Sequence, residues 1–249
     1  FVTKGQPWSM VVNGDATDGR HHQATTQISQ NLSDQKKVAT AILAPVVTMS
    51  RDTGGNYYHL RGTEAHTGPA GETEEDLAMM LGARQDAAGL YARFDLNVMV
   101  GDGLVNILHH IGCTSSTAYE ASAPNKEIAS AMTEAGLWGR RPPDALVRSH
   151  RHRGLYLELP ADNNNAFIII TPGWQAKTPF VWKIAGGRLS TPQFGGVCIK
   201  YGEEGLYCRH RTWTIAPTAT EDNQIVECNE LCNQGHMHTS IEEVKCCDD

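Results

Sequence analysis

Apolar positions keep two different rhythms along this chain. Early on, short apolar runs alternate with helix-like spacing; from residue 91 they alternate with polar positions. Met10, Val11 and Val12 within 9–13 predict a buried strand, and Asn13-Gly14 reads as the turn that ends it and delivers Asp15 to the sheet's carboxyl edge. Ile28, Leu32, Val38 and Ile42 follow a loose 3.6 spacing, which predicts a helix over 34–43 that Pro45 should break or end. The aromatic run at 56–61 predicts a short strand. Thr73-x-x-Asp76, ahead of Leu77, Met80 and Leu81, predicts a helix over 72–82. Strands over 91–100 and 104–109 flank Gly101-Asp102-Gly103, a hairpin signal. A helix over 117–137, divided or restarted near Pro124, precedes a strand over 144–148. The last third reads as short strands at 155–159, 166–170, 179–184, 194–201 and 205–215, with turns at 162–165 and 201–205. Helix and strand alternating early, with hairpins late, imply two sheets packed face to face with helices outside, an α/β (α+β) class.

Composition narrows this picture. At 249 residues and 27.2 kDa the chain can bury an ample core. A net charge of −7 argues against a protein that coats nucleic acid, though not against an enzyme that meets it at a metal site. No run approaches the roughly 18 apolar residues of a membrane span, so no membrane partner is expected. There is no charged-then-apolar leader, and the start at Phe1 suggests that residues precede it. Seven scattered cysteines, an odd number, suggest reduced thiols and a cytoplasmic setting. From Thr218 the sequence turns acidic and polar, so the chain divides into a domain over 1–217 and a tail over 218–249, extended or partly disordered. The tail's Cys228, Cys232, His236, His238, Cys246 and Cys247 lack the paired spacing of zinc modules, and its Gly-His-Met-His has no strand before it.

Candidate chemistry sits where apolar runs end. Asp15 with Asp18, GTEAHTG at 62–68, LHHIG at 108–112 and SHRHR at 149–153 each place acid or imidazole just after such a run. One carboxylate with several imidazoles suits Zn, Mn, Fe or Ni better than Mg or Ca. His150 and His152 point the same way in a pleat, whereas a turn fans them toward two adjacent ions. Two ions about 3.5–4 Å apart, bridged by a carboxylate, activate water and hold a phosphoryl oxygen, and a further His protonates the leaving group. Arg148, Arg151 and Arg153 around that motif match phosphate oxygens or form a solvated basic loop. Bland readings stand beside these: Asp15 as a turn cap, His109 and His110 as one core and one surface residue, Thr63 to Gly68 as a plain turn, and Trp174 as packing.

Taken in order, VVNGDATDG, RGTEAHTG, ILHHIG and VRSHRHR resemble the second to fifth signature blocks of the calcineurin-like metallophosphoesterases: GDxxD, GNH(D/E), a lone His after a strand, and GHxH. The match is nearest the phage-type branch, with GTxxH in place of GNH, an HHxG block next, and a late segment similar to Thr171-Pro172-Gly173-Trp174-Gln175. It covers about 8–215. The resemblance implies a four-layer αββα sandwich with two mixed β-sheets and two divalent ions (Mn, Zn, Fe or Ni). It puts Asp15 between the ions as a bridge, His109 or His110 with His150 and His152 as ligands, and a bridging hydroxide as nucleophile. His66 would assist the phosphate or the leaving group, with Asp18 beside it as a further catalytic residue. Thr63, Glu64, Arg148, Arg151 and Trp174 fall on the substrate side. The substrate would be a phosphodiester, such as DNA or RNA in a phage-infected cell, or a small phosphomonoester.

Two departures qualify the resemblance. The family's first block, DxH, should precede Asp15, and this chain begins too late to contain it, so either residues precede Phe1 or only one ion binds. Thr63 stands where the family has an asparagine ligand, leaving Glu64 or His66 to substitute. Two other functions fit these departures: a catalytically inactive, metal-free binding or virion-associated protein of the same fold, and a mononuclear zinc hydrolase using Asp15, His109 and His110.

Overall fold

The structure is a computed structural model that describes residues 5–20, 27–113, 116–160, 166–183, 191 and 193–214. The tail over 218–249, with its cysteine and histidine set, and the turn at 162–165 lie outside the described residues.

The chain runs β1 (Met10–Asn13), α1 (Leu32–Asp52), β2 (Tyr57–Leu60), α2 (Glu64–Thr67), α3 (Glu72–Met80) and β3 (Ala92–Arg93). It continues through β4 (Leu96–Val100), β5 (Gly103–Ile107), α4 (Ser122–Leu137), β6 (Ala145–Arg148), β7 (Leu155–Leu159) and β8 (Ala166–Ile170). It ends with α5 (Pro179–Lys183), β9 (Gln193–Gly202) and β10 (Gly205–Thr214). The first sheet, β1-β2-β3, is parallel throughout. The second, β4-β5-β6-β8-β7, is mixed, with antiparallel pairs at both ends and a parallel centre. β9 and β10 form a separate antiparallel ribbon.

Three apolar clusters stack these elements into four layers. Ala39 and Val47 of α1 and Leu77 and Ala78 of α3 pack on Tyr57 and Ala92 of the first sheet. That sheet's other face, through Leu60, meets Leu96, Val105, Val147, Phe167 and Ile169 of the second. The far face of the second sheet, through Leu146, Ile168 and Ile170, is covered by Ile128 of α4. The result is a mixed α/β sandwich in helix–sheet–sheet–helix order. β8 reads Ala-Phe-Ile-Ile-Ile because it is buried on both faces, and each of its large side chains contributes about 1.5–3 kcal/mol.

Four expectations are corrected. α1 continues through Pro45 to Asp52, because Val47 and Ser50 beyond it are buried against the first sheet while Pro45 itself lies exposed, where water can satisfy the carbonyl it frees. The 91–100 stretch is two strands, since Ala92–Arg93 adds to the first sheet beside β2 and the chain then crosses to start the second sheet at Leu96. Residues 179–183 form a short helix where a strand was expected. The first sheet is parallel where a mixed one was expected. No helix among the described residues is long and apolar enough to cross a membrane.

Candidate metal centre

β1, β5 and β6 end at one edge of the sandwich, and the Asn13 side chain stitches those ends together. Its amide donates to the Leu108 carbonyl (2.9 Å) and to Ser149 Oγ (2.8 Å), joining the first sheet to the second. The Ser149 amide donates to the His109 carbonyl at 2.9 Å. Asp15, His109 and His150 therefore emerge side by side, and one donor atom of each lies within 4.8 Å of the others.

The turn carrying Asp15 tolerates only glycine beside it. A Cβ on Gly14 (φ 75°) would meet His109 Nδ1 at 2.5 Å, and one on Gly62 would meet Asp15 Oδ1 at 1.9 Å. Thr63, the residue before α2, gives its backbone amide (2.7 Å) and its hydroxyl (3.2 Å) to that same Oδ1. Asp15 Oδ2 faces His109 Nε2 at 2.9 Å and His66 Nε2 at 3.9 Å.

The His109 contact calls for a proton or a cation between the two atoms. Its Nδ1 lies 2.5 Å from the Asn13 carbonyl, an acceptor, so Nδ1 carries the proton. In the neutral ring Nε2 then presents a lone pair to a carboxylate oxygen, and this buried atom has no hydrogen-bond partner of good geometry. A lone pair 2.9 Å from a carboxylate is tolerable only with a proton or a cation between them. The residues present thus fit a cation.

The backbone points to the same place. Asp15 (φ 55°), His150 (φ 67°) and His152 (φ 55°) are the non-glycine residues with positive φ among those described. Such conformations cost on the order of 1–3 kcal/mol each and gather at functional sites.

The electrostatics divide the imidazoles. Burial raises the Asp15 pKa, but His109, then His66 and the Thr63 amide outweigh this and hold it at about 2. Burial lowers His109, yet Asp15 and the Asn13 carbonyl outweigh burial, so its pKa is raised. Burial, reinforced by His109 and His110, pushes His150 down to about 4. Burial also lowers His152, against the pull of Asp15. His150 and His152 are therefore neutral at pH 7 with lone pairs ready to donate, whereas at His109 a cation would displace a proton.

Around this cluster, His110 is exposed and lays its ring on His150 at 4.8 Å between centroids, so His109 rather than His110 faces Asp15. His66 Nδ1 bonds the Asp18 carbonyl at 2.9 Å, and Asp18 Oδ1 accepts from Gln175 Nε2 at 2.8 Å. His152 backs onto Gly173, where a Cβ would come within 3.0 Å of its ring. Glu64 is exposed and outside the donor cluster. Trp174 is 72 % exposed.

Two expected phosphate-binding residues are turned elsewhere. Arg148 is buried, bonded to Glu127 and to Asn106 on the α4 side of its sheet. Arg151 gives its guanidinium to the Gly112 and Glu120 carbonyls. Alternation explains Arg148: it is adjacent to the strand end but points to the opposite layer.

Sequence reasoning missed Asn13, which it took only for a turn former, and Glu74. Glu74 is fully buried; its Oε1 accepts from the Ala16 amide (2.9 Å) and its Oε2 from the Gly62 amide (2.6 Å). It thereby ties together the loops that carry Asp15 and Thr63. A signal existed, for Glu74, Leu77, Ala78 and Leu81 follow i, i+3, i+4, i+7 and are all buried.

No protein-family model and no curated protein matches the sequence. Among solved structures the chain is similar to Vps29 of Chaetomium thermophilum, with 11% identity and a TM-score of 0.35 over 84% of this chain and 81% of that one, a likeness too distant to bear on activity.

Proposed function

We propose that this chain is a metal-dependent phosphoesterase whose ion is held by Asp15, His109 and His150, with His152 beside them. The observation that carries this reading is the gathering of a carboxylate and two imidazoles from three separate strand ends within 4.8 Å, one of them with a buried Nε2 facing a carboxylate oxygen. An ion bound there supplies Lewis acidity toward a phosphoryl oxygen and brings the pKa of water near neutrality.

The chain's own groups do the rest. The Thr63 amide and hydroxyl fix one oxygen of Asp15, so the other stays directed at His109. The Asn13 carbonyl fixes the His109 tautomer with Nε2 toward the centre, the outer-partner role that orients metal-binding imidazoles. The Asp18 carbonyl likewise holds His66 by its Nδ1–H and turns Nε2 toward the cluster; in the imidazolium form, with both ring nitrogens protonated, Nε2–H would pass its proton to the departing oxygen and leave the neutral ring.

The test is turnover of bis-p-nitrophenyl phosphate by the full chain, with manganese or zinc added and with chelator. Metal-dependent turnover that disappears in Asp15→Asn supports the reading, and none with any divalent ion overturns it. An inactive fold is the second reading. It is favoured by Thr63, which offers a hydroxyl to Asp15 where the resembling family offers an asparagine ligand. Metal binding without turnover of any phosphoester would establish it.

A further inference from the structure

We propose that the substrate is single-stranded nucleic acid, lying along the outer face of the β9–β10 ribbon with a base on the Trp174 and Trp213 rings beside the metal centre. This rests on the phosphoesterase reading above.

The ribbon has two unlike faces. Val197, Ile199, Leu206 and Cys208 point inward and pack against the core between the sheets. By alternation, Tyr207, Arg209, Arg211 and Trp213 share the outer face, opposite Lys200, Cys198, Gly196 and Phe194 in register. That face carries three cations and no carboxylate, in a chain whose net charge is −7. The ribbon's acids, Glu203 and Glu204, sit at the hairpin tip.

Its aromatic and basic groups are already paired. The Arg211 guanidinium lies 5.3 Å from the Trp213 ring centroid and Arg209 lies 6.0 Å from that of Tyr207. An arginine stacked this way keeps its N–H donors pointing outward for phosphate oxygens. Both Tyr207 and Trp213 are substantially exposed, and a Cβ on Gly196 would touch nothing within 4 Å among the described residues, so none of these fills the space beside Arg211. Aromatic faces interleaved with cations along a strand match bases and phosphates on a flexible backbone; an acidic peptide would use the cations but not the rings. From Tyr207 to Trp213 the strip extends about 20 Å.

The strip leads into the proposed centre. The Trp213 ring lies 6.0 Å from that of Trp174 between centroids, the two planes tilted by 48°, and its cross-strand partner Phe194 bridges to Gly173. Gly173 rests on the His152 ring, and Gln175 bonds Asp18. Residues 173–175 therefore link the Trp213 end of the ribbon to His152 and Asp18 beside the donor cluster.

The test is fluorescence anisotropy of a labelled twelve-residue oligo-dT with the full chain, in chelator so that binding is separated from turnover. Binding is expected, weakened roughly tenfold or more in Trp174→Ala/Trp213→Ala. Arg209→Ala/Arg211→Ala should lower the slope of log K against log salt by about 1.4, at about 0.7 per phosphate contact. Lys200→Glu replaces either double variant should it melt early. No binding, equal binding of an abasic twelve-mer, or a change under twofold in the ribbon variants would overturn the proposal. Turnover of bis-p-nitrophenyl phosphate without oligonucleotide binding removes the ribbon inference alone. Oligonucleotide binding without any metal-dependent turnover removes the phosphoesterase reading and with it the role of substrate.

Discussion

Two histidine–carboxylate pairs stand close together in this molecule, and they do opposite things. His59 and Glu74 approach to 3.6 Å with both side chains fully buried, the imidazole backed by the Tyr57 hydroxyl at 2.6 Å. His109 and Asp15 approach to 2.9 Å at the rim, on strained backbone, with His150 within reach of the same point. Glu74 has both oxygens held by backbone amides of two loops, so it serves as a clamp. Asp15 has one oxygen fixed and the other turned to an imidazole. An acid beside a histidine is thus no sign of a metal site by itself. What distinguishes the rim pair is a third donor from another strand and a carboxylate that secondary structure has not already satisfied.

The contrast can be broken at either pair. Glu74→Gln turns an amide N–H₂ toward a backbone N–H that now donates to a carboxylate, and should destabilise the fold by roughly 3 to 5 kcal/mol in urea unfolding. A loss below about 1 kcal/mol would show that Glu74 is not the clamp between the two loops. Asp15→Asn should instead show itself in chemistry, lowering kcat/KM by more than the roughly 10–100-fold typical of losing an outer partner, while the variant still folds. Undiminished turnover would remove Asp15 from the centre.

A third difference appears with pH in chelator-treated protein. The Asp15 carboxyl sits at about 2, against 3.8 when free. A carboxyl lowered by folding adds stability above its unfolded pKa, and that stability is lost as pH falls from about 4 to about 2, here by ~2 kcal/mol. Wild type should show this acid limb in unfolding free energy and Asp15→Asn should not; matching limbs would contradict it. The mildest change is Tyr57→Phe, which removes the hydroxyl behind His59 and should cost about 1 kcal/mol with turnover unaltered.

Much of the frame was legible in residue order. Apolar runs marked β1, β6 and β8, and Gly101-Asp102 marked the hairpin between β4 and β5. Asp15, His109 or His110, His150 and His152 were singled out because each follows such a run; parallel strands bring their carboxyl ends to one edge, where donors of Asp15, His109 and His150 lie within 4.8 Å of one another. Which of His109 and His110 turns inward was not legible, since it depends on how β5 hands over to the loop rather than on spacing. Nor was the fate of Arg148, whose direction follows from the strand's pleat and whose partner, Glu127, comes from a helix 21 residues earlier. Pro45 misled because local propensity was set against tertiary burial, and burial of Val47 and Ser50 prevailed. The short strand over 92–93 was hidden because alternation cannot say that one apolar stretch serves two sheets.

The most direct test is metal content after stripping the full chain with chelator and reloading it with manganese or zinc. Wild type should retain at least one ion per chain after desalting, while Asp15→Asn and His150→Ala lose it and Glu64→Ala keeps it. A wild-type chain that returns metal-free, or an Asp15→Asn chain that binds as wild type does, would contradict the proposed centre.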